Sequence, residues 1–314
     1  METLHKIVAA LLALALIAGS RPLLGIPAPE SVTRDGWPQP LELDAEARDW
    51  IRRAIPAGPS PQRRLRMIWR SLTGSDGLGM REDMDRTRTA TEAFQQRRAN
   101  CVGFALLMVA LSREVGVPAF FVVIEDSGVA RRRDTFTVAE NHLATAVDEG
   151  GRLRIFDFGG ESAPDEYRAI PVTDLAAIAL YHSNRGVETL LDGDLGGAVR
   201  WLRRAVDLDP GLAPAWVNLG VALRRSGDDQ GAREAYEEAL RIDPAAASAY
   251  DNLAALLRSR GRSQEAAEVL EMADRARSGD AFSYLRLARQ SLESGDLAGA
   301  RSFYRKALEL SRQR

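Results

Sequence analysis

Cys101 is the only cysteine in the 314-residue chain, and it opens the run Asn100-Cys101-Val102-Gly103-Phe104-Ala105-Leu106. That run reads as a helix continuing to Arg113 and stopping at Gly116, with Pro118 just beyond. A thiol at a helix N-terminus meets unpaired backbone N–H groups and the positive end of the dipole, which favour the thiolate. Downstream, His142 and Asp157 stand at the start of one short β-type run and the end of the next. A cysteine, a histidine and an aspartate in that order suit a nucleophile, a base and an orienting carboxylate. The other readings are an apolar core cysteine, a surface strand histidine and a hairpin-edge charge. Of the other two histidines, His5 lies in the N-terminal apolar segment and His182 in a later helical region, so a base for Cys101 would be His142.

The elements around these residues are legible as periodicities. Asp44 to Ile55 and Pro61 to Leu72 carry helical apolar spacing, and Thr89 to Arg97 reads as a short helix leading to Cys101. Phe120 to Ile124 is a buried strand; Asn141 to Val147 and Arg152 to Phe158 form a hairpin across Glu149-Gly150-Gly151. About that turn His142 and Asp157 are near cross-strand partners and can face one side. Ser127 to Val138 reads as a loop carrying Arg131-Arg132-Arg133, either solvated or a lip for an acidic or peptide substrate. The glycines of Gly74 to Gly79 neither follow a strand nor precede a lysine, which excludes a phosphate loop.

Residues of about 89 to 160 resemble the core of the transglutaminase-like, papain-related superfamily. The resemblance rests on Asn-Cys-Val-Gly-Phe-Ala at 100–105, on Gly116-Val117-Pro118-Ala119 entering a strand, on His142, and on Phe156-Asp157-Phe158. It implies Cys101 as nucleophile, His142 as base and Asp157 as orienter. The chain departs from the family where His142 precedes Leu143-Ala144 instead of an alanine–aromatic pair, and where Asp157 precedes Phe158-Gly159 instead of proline–threonine. Those neighbours bear on substrate access.

From residue 179 the sequence repeats every 34 residues, in units 179–212, 213–246, 247–280 and 281–314. Gly186, Gly220, Ala254 and Ala288 recur in the first helix, Ala198, Ala232, Ala266 and Ala300 in the second, and Gly193, Gly227, Gly261 and Gly295 in the turns. The pattern resembles the tetratricopeptide repeat, most closely in Trp216, Leu219, Gly220, Gly227, Ala232, Tyr236, Ala239 and Pro244. Such units stack into a superhelix whose first helices line a peptide-binding groove. Asn184, Asn218 and Asn252 share one position on those helices, similar to the asparagine ladder of the O-GlcNAc transferase repeats, and Arg286 takes that position in the fourth unit, where it could meet a carboxylate. Asparagine that is simply common at this position is the plainer reading.

The expected fold is therefore an α+β papain/transglutaminase-like domain at 43–172, followed by an all-α tetratricopeptide-repeat solenoid at 173–314. Pro171-Val172-Thr173-Asp174 joins them with no flexible linker, and Thr173 or Asp174 can cap the first repeat helix. Ile7 to Ala18 is apolar and too short to span a bilayer, which takes about 20 residues. It reads as a signal peptide over 1–20, cleaved after Ser20, with an irregular proline-rich linker at 21–42. That predicts an exported protein, periplasmic or extracellular; the alternative is an inner-membrane anchor at residues 7–18. A net charge of −2 offers no basic field for nucleic acid, and two histidines and one cysteine in the mature chain assemble no convincing zinc site. No dinucleotide fingerprint is present, so no cofactor is expected.

The expected chemistry is attack of a Cys101 thiolate on a peptide or protein amide, with His142 protonating the leaving amine to give a thioester. The Cys101 backbone N–H, with Gln95, Gln96 or Asn100, could stabilise the oxyanion. Hydrolysis or deamidation is expected over crosslinking, because nothing marks an amine-acceptor site. The repeats would recruit the peptide or protein partner. The alternatives are a peptidase processing one partner protein, and a non-catalytic tetratricopeptide adaptor with an inactive first domain.

Overall fold

A computed structural model describes residues 36–124, 131–133, 136–138, 142–162, 169–243 and 246–277, with single helical positions between 285 and 308. The signal segment at 1–20, most of the arm at 21–42, and Arg286 lie outside the described residues. Among the described residues no helix is long and apolar enough to cross a membrane.

Helices α1 (Ala45–Ala54) and α2 (Pro61–Thr73) begin where side-chain caps satisfy their first N–H groups. Asp44 accepts from Ala47 and Ser60 from Arg63, and Pro61 takes the first helical position of α2, where its missing N–H costs nothing. After β1 (Arg81–Glu82), a reciprocal capping box between Thr89 and Glu92 starts α3 (Ala90–Gln96). Arg97 then turns the chain through the left-handed region (φ 52°) into β2 (Arg98–Ala99), which pairs in parallel with β1. Cys101 follows at once as the first residue of α4 (Cys101–Glu114). Every side chain of α4 from Val102 to Ser112 is buried, so this helix forms the centre of the first core and is apolar on all faces.

Around α4 lies an antiparallel sheet of β3 (Phe120–Ile124), β6 (His142–Glu149), β7 (Arg152–Asp157), β8 (Gly160–Ser162) and β9 (Ala169–Val172), in the order β8-β7-β6-β3-β9. Helix α4 packs on β6, with α1, α2 and α3 at its other sides. The β6–β7 turn is a two-residue Gly150-Gly151 loop, both φ values positive (63° and 87°), between the paired residues Glu149 and Arg152. The segment at 127–138 is not wholly loop. It contains β4 (Arg131–Arg133) and β5 (Phe136–Val138), paired antiparallel, because alternating Phe136-Thr137-Val138 can form a short strand opposite the arginine run.

Helical hairpins follow: α5 (Asp174–Leu191) with α6 (Leu195–Leu208), α7 (Ala213–Arg225) with α8 (Asp229–Ile242), and α9 (Ala247–Ser259) with α10 (Ser263–Arg277). Small residues set their closeness: a Cβ on Gly186 would stand 2.5 Å from Leu202, and one on Gly220 2.4 Å from Tyr236. The turn glycines Gly193, Gly227 and Gly261 all have positive φ. In the fourth unit Ala288 and Ala300 are buried at the positions the repeat assigns to close packing. Strand β9 passes into α5 through Thr173, whose side chain accepts from Ala176, and Arg113 of α4 clamps Asp174 with two bonds of 2.6 and 2.9 Å. Trp37 meets His182 of α5 and Trp201 of α6, with ring centroids 5.2 and 4.8 Å apart.

Candidate active site

The β1–β2 pair delivers Cys101 to the mouth of α4. Asp83 N–H donates to Ala99 O, and Asn100 caps the helix with its Oδ1 accepting from Gly103 N–H at 3.0 Å. The Asn100 amide donates to Thr87 Oγ1 at 2.7 Å, so the cap itself is held from behind. Gly103 is needed for this approach: a Cβ there would lie 3.0 Å from Arg88 O. Half-buried Cys101 is thus the first residue of the helix, with its backbone fixed on both sides.

His142 opens β6 opposite Ile124 of β3, and Asp157 ends β7 opposite Gly160 of β8. The tight Gly150-Gly151 turn sets Thr145 against Phe156, so His142 and Asp157 are diagonal neighbours on one face and not direct partners. Their side chains still meet, Nε2 to Oδ2 at 3.2 Å. Both are partly exposed, at 29% and 28%. Cys101 lies near enough to act on the charge of the same ring, and since the carboxylate takes Nε2, Nδ1 is the ring nitrogen left for the sulfur.

Electrostatics follow from these contacts. The bond to Asp157, then the nearby Cys101, raise His142 to about 10 against the opposing effect of burial. The imidazolium in turn holds the Asp157 carboxyl below its ordinary range, aided by the backbone N–H groups of Gly159 and Gly160. The site favours a cationic ring between a carboxylate and a sulfur at neutral pH.

The remaining predicted residues are placed elsewhere or engaged. Gln95 donates to Asp44 Oδ2 at 2.7 Å and the Asn100 amide is spent on Thr87, so neither side-chain amide is directed to an oxyanion at Cys101. Gln96 Oε1 accepts from Arg88 Nε at 2.7 Å. In the repeats, Asn184 on α5 is half-buried, while Asn218 on α7 and Asn252 on α9 are each 2% exposed. Asn218 donates to Ser183 of α5, so it links successive first helices.

Sequence reasoning missed the groups that hold Asp157. Trp69 of α2 reads as one more apolar helix position, yet its indole N–H donates to Asp157 O at 2.7 Å. Gly159 N–H donates to Asp157 Oδ1 at 2.8 Å, leaving Oδ2 for His142. Phe158 stacks on Phe104, centroids 4.0 Å apart, joining the strand of Asp157 to the helix of Cys101. Among the described residues no group of three or more histidine, cysteine, aspartate or glutamate side chains could hold a metal ion.

Residues 57–149 match the model of the transglutaminase-like superfamily, a span that includes Cys101 and His142 and ends before Asp157. Residues 213–246, 246–273 and 283–314 match tetratricopeptide repeat models. No curated protein matches the chain. Among solved structures, the crystal structure of MamA is similar at 24% identity over 45% of this chain and 80% of that one, with a TM-score of 0.29. The APC/C hetero-tetramer Cut9-Hcn1 is similar at 22% identity over 43% of this chain and 26% of that one, with a TM-score of 0.30. The chain carries a transglutaminase-like domain at 57–149 followed by tetratricopeptide repeats within 213–314.

Proposed function

We propose that the protein is a cysteine enzyme that opens peptide or protein amides through a thioester, with Cys101 as nucleophile, His142 as acid and base, and Asp157 as the group that orients it. The observation that carries this reading is the His142–Asp157 hydrogen bond of 3.2 Å beside Cys101, the first residue of a buried helix. The Cys101 thiolate attacks the amide carbon, and the carbon–oxygen double bond becomes an oxyanion facing the first-turn N–H groups of α4. The oxyanion collapses, the carbon–nitrogen bond breaks, and the His142 imidazolium gives its proton to the departing amine. Neutral His142 then takes a proton from water as the oxygen attacks the thioester, releasing a carboxylic acid and restoring the thiolate–imidazolium pair. Hydrolysis or deamidation is the outcome this reading takes over crosslinking. Tetratricopeptide repeats mediate protein–protein contacts, and in this reading they recruit the substrate protein. Export, the localisation in keeping with the apolar segment at residues 7–18, is part of the same proposal.

The test uses the fact that Cys101 is the only thiol. Iodoacetamide at about pH 6.5 is expected to label the intact protein, with roughly 10²-fold slower labelling after His142→Ala. A Cys101 as slow as a free thiol would refute the proposal and favour an adaptor. With casein as substrate, new N-termini report peptide cleavage and ammonia alone reports deamidation. Incorporation of a dansylated amine would report crosslinking.

A further inference from the structure

The hairpin β4–β5 springs from the end of the sheet that bears the active site. It leaves β3 after Ile124 and returns to β6 at His142, and those two residues are paired across the ladder. Strand β5 runs against α7 and α9, the first helices of two successive repeats. Val217 and Val221 of α7, four residues apart, share one face of that helix. Both are closed to solvent, at 1% and 2% exposure, and Asn252 of α9 is closed equally. First helices line the inner face of a tetratricopeptide array, where an extended chain would be received.

We propose that the inner face of the repeats is occupied in cis by the β4–β5 hairpin, the resident ligand of the groove. An extended peptide of similar character, arginine-rich at one end and alternating aromatic, β-branched and polar at the other, then binds there only by displacing it. This inference is independent of catalysis, because it concerns which segment fills the groove.

The experiment reads protection of a groove residue. In a Cys101→Ser background, Val221→Cys supplies the only thiol, and its alkylation is measured in the full chain. Replacing residues 131–138 by a glycine–serine linker of equal length is expected to speed alkylation at least tenfold. A synthetic peptide of residues 129–140 is expected to restore protection. The milder Val138→Pro, which removes the backbone donor of the hydrogen-bonded pair Arg131–Val138, should give a smaller increase in the same direction and covers the case in which the replacement does not fold. Helical circular dichroism identifies that case. Equal alkylation rates in folded variants, or no protection by the peptide, would overturn the proposal.

Discussion

Trp69 and Asp157 are joined across 88 positions of sequence by one hydrogen bond, from the indole Nε1–H to the Asp157 backbone carbonyl at 2.7 Å. The bond fixes the end of β7 to α2, and the neighbouring β8 is tied to the same helix where Arg66 and Gln62 of α2 reach Glu161. Asp157 is consequently held by its main chain, with one carboxylate oxygen on Gly159 and the other on His142.

Trp69→Phe keeps the ring volume and deletes only the donor. One hydrogen bond contributes about 1 kcal/mol, so Cys101 alkylation at about pH 6.5 should slow by roughly fivefold. Trp69→Ala should slow it further and also lower the melting temperature, because a packed ring is lost as well. An unchanged alkylation rate in Trp69→Phe would show that Asp157 needs no such support.

Asp157→Asn tests the origin of the His142 shift. Asp157 is the largest cause of the rise from 6.5 to about 10, and a neutral amide, which can accept a bond but carries no charge, stabilises the imidazolium far less. The titration midpoint of the His142 ring, followed by NMR, should move down toward 6.5. Any amide-hydrolysing activity should fall by roughly 10²- to 10⁴-fold, and its alkaline limb should move to lower pH. A midpoint that stays put would assign the shift to Cys101.

The pair also ties stability to pH. The folded-state value of His142 is raised, so its contribution is full below 6.5 and is lost as pH rises through about 10. Asp157 is lowered, so its contribution is full above 3.8 and is lost as pH falls through its folded-state value. The melting-temperature gap between the intact protein and His142→Ala should be widest near about pH 5–6 and should close toward about pH 11. A gap that is flat across this range would contradict the assigned directions.

Gly220→Ala tests the repeat packing. The added methyl would stand 2.4 Å from the Tyr236 ring, which is fully buried and cannot retreat without displacing α8. Overpacking of this kind costs about 1–3 kcal/mol, read as a lower denaturant midpoint with an unchanged slope. Gly196→Ala, where the nearest side-chain atom is 3.7 Å away, is the control with little effect.

Much of this protein is local, and what is local was legible. The helix begun by Asn100 and Cys101, the strand at Phe120–Ile124, the turn at Gly150-Gly151 and the 34-residue step each depend on residues adjacent in sequence. Capping, turn chemistry and apolar period need no knowledge of distant partners. The candidates for a triad followed from scarcity instead, since one cysteine and few histidines leave little choice.

Contacts between remote segments were decided by tertiary structure alone. Residue types could not show that His142 and Asp157 meet diagonally, because one residue of turn length changes which positions face each other. Trp69 looks like any apolar position of α2 until the end of β7 is brought to its N–H. Asn218 looks like a ligand-binding amide until Ser183 of the preceding repeat is placed within reach of it. Sequence specifies which groups can donate, accept or fill space; only packing in three dimensions chooses their partners.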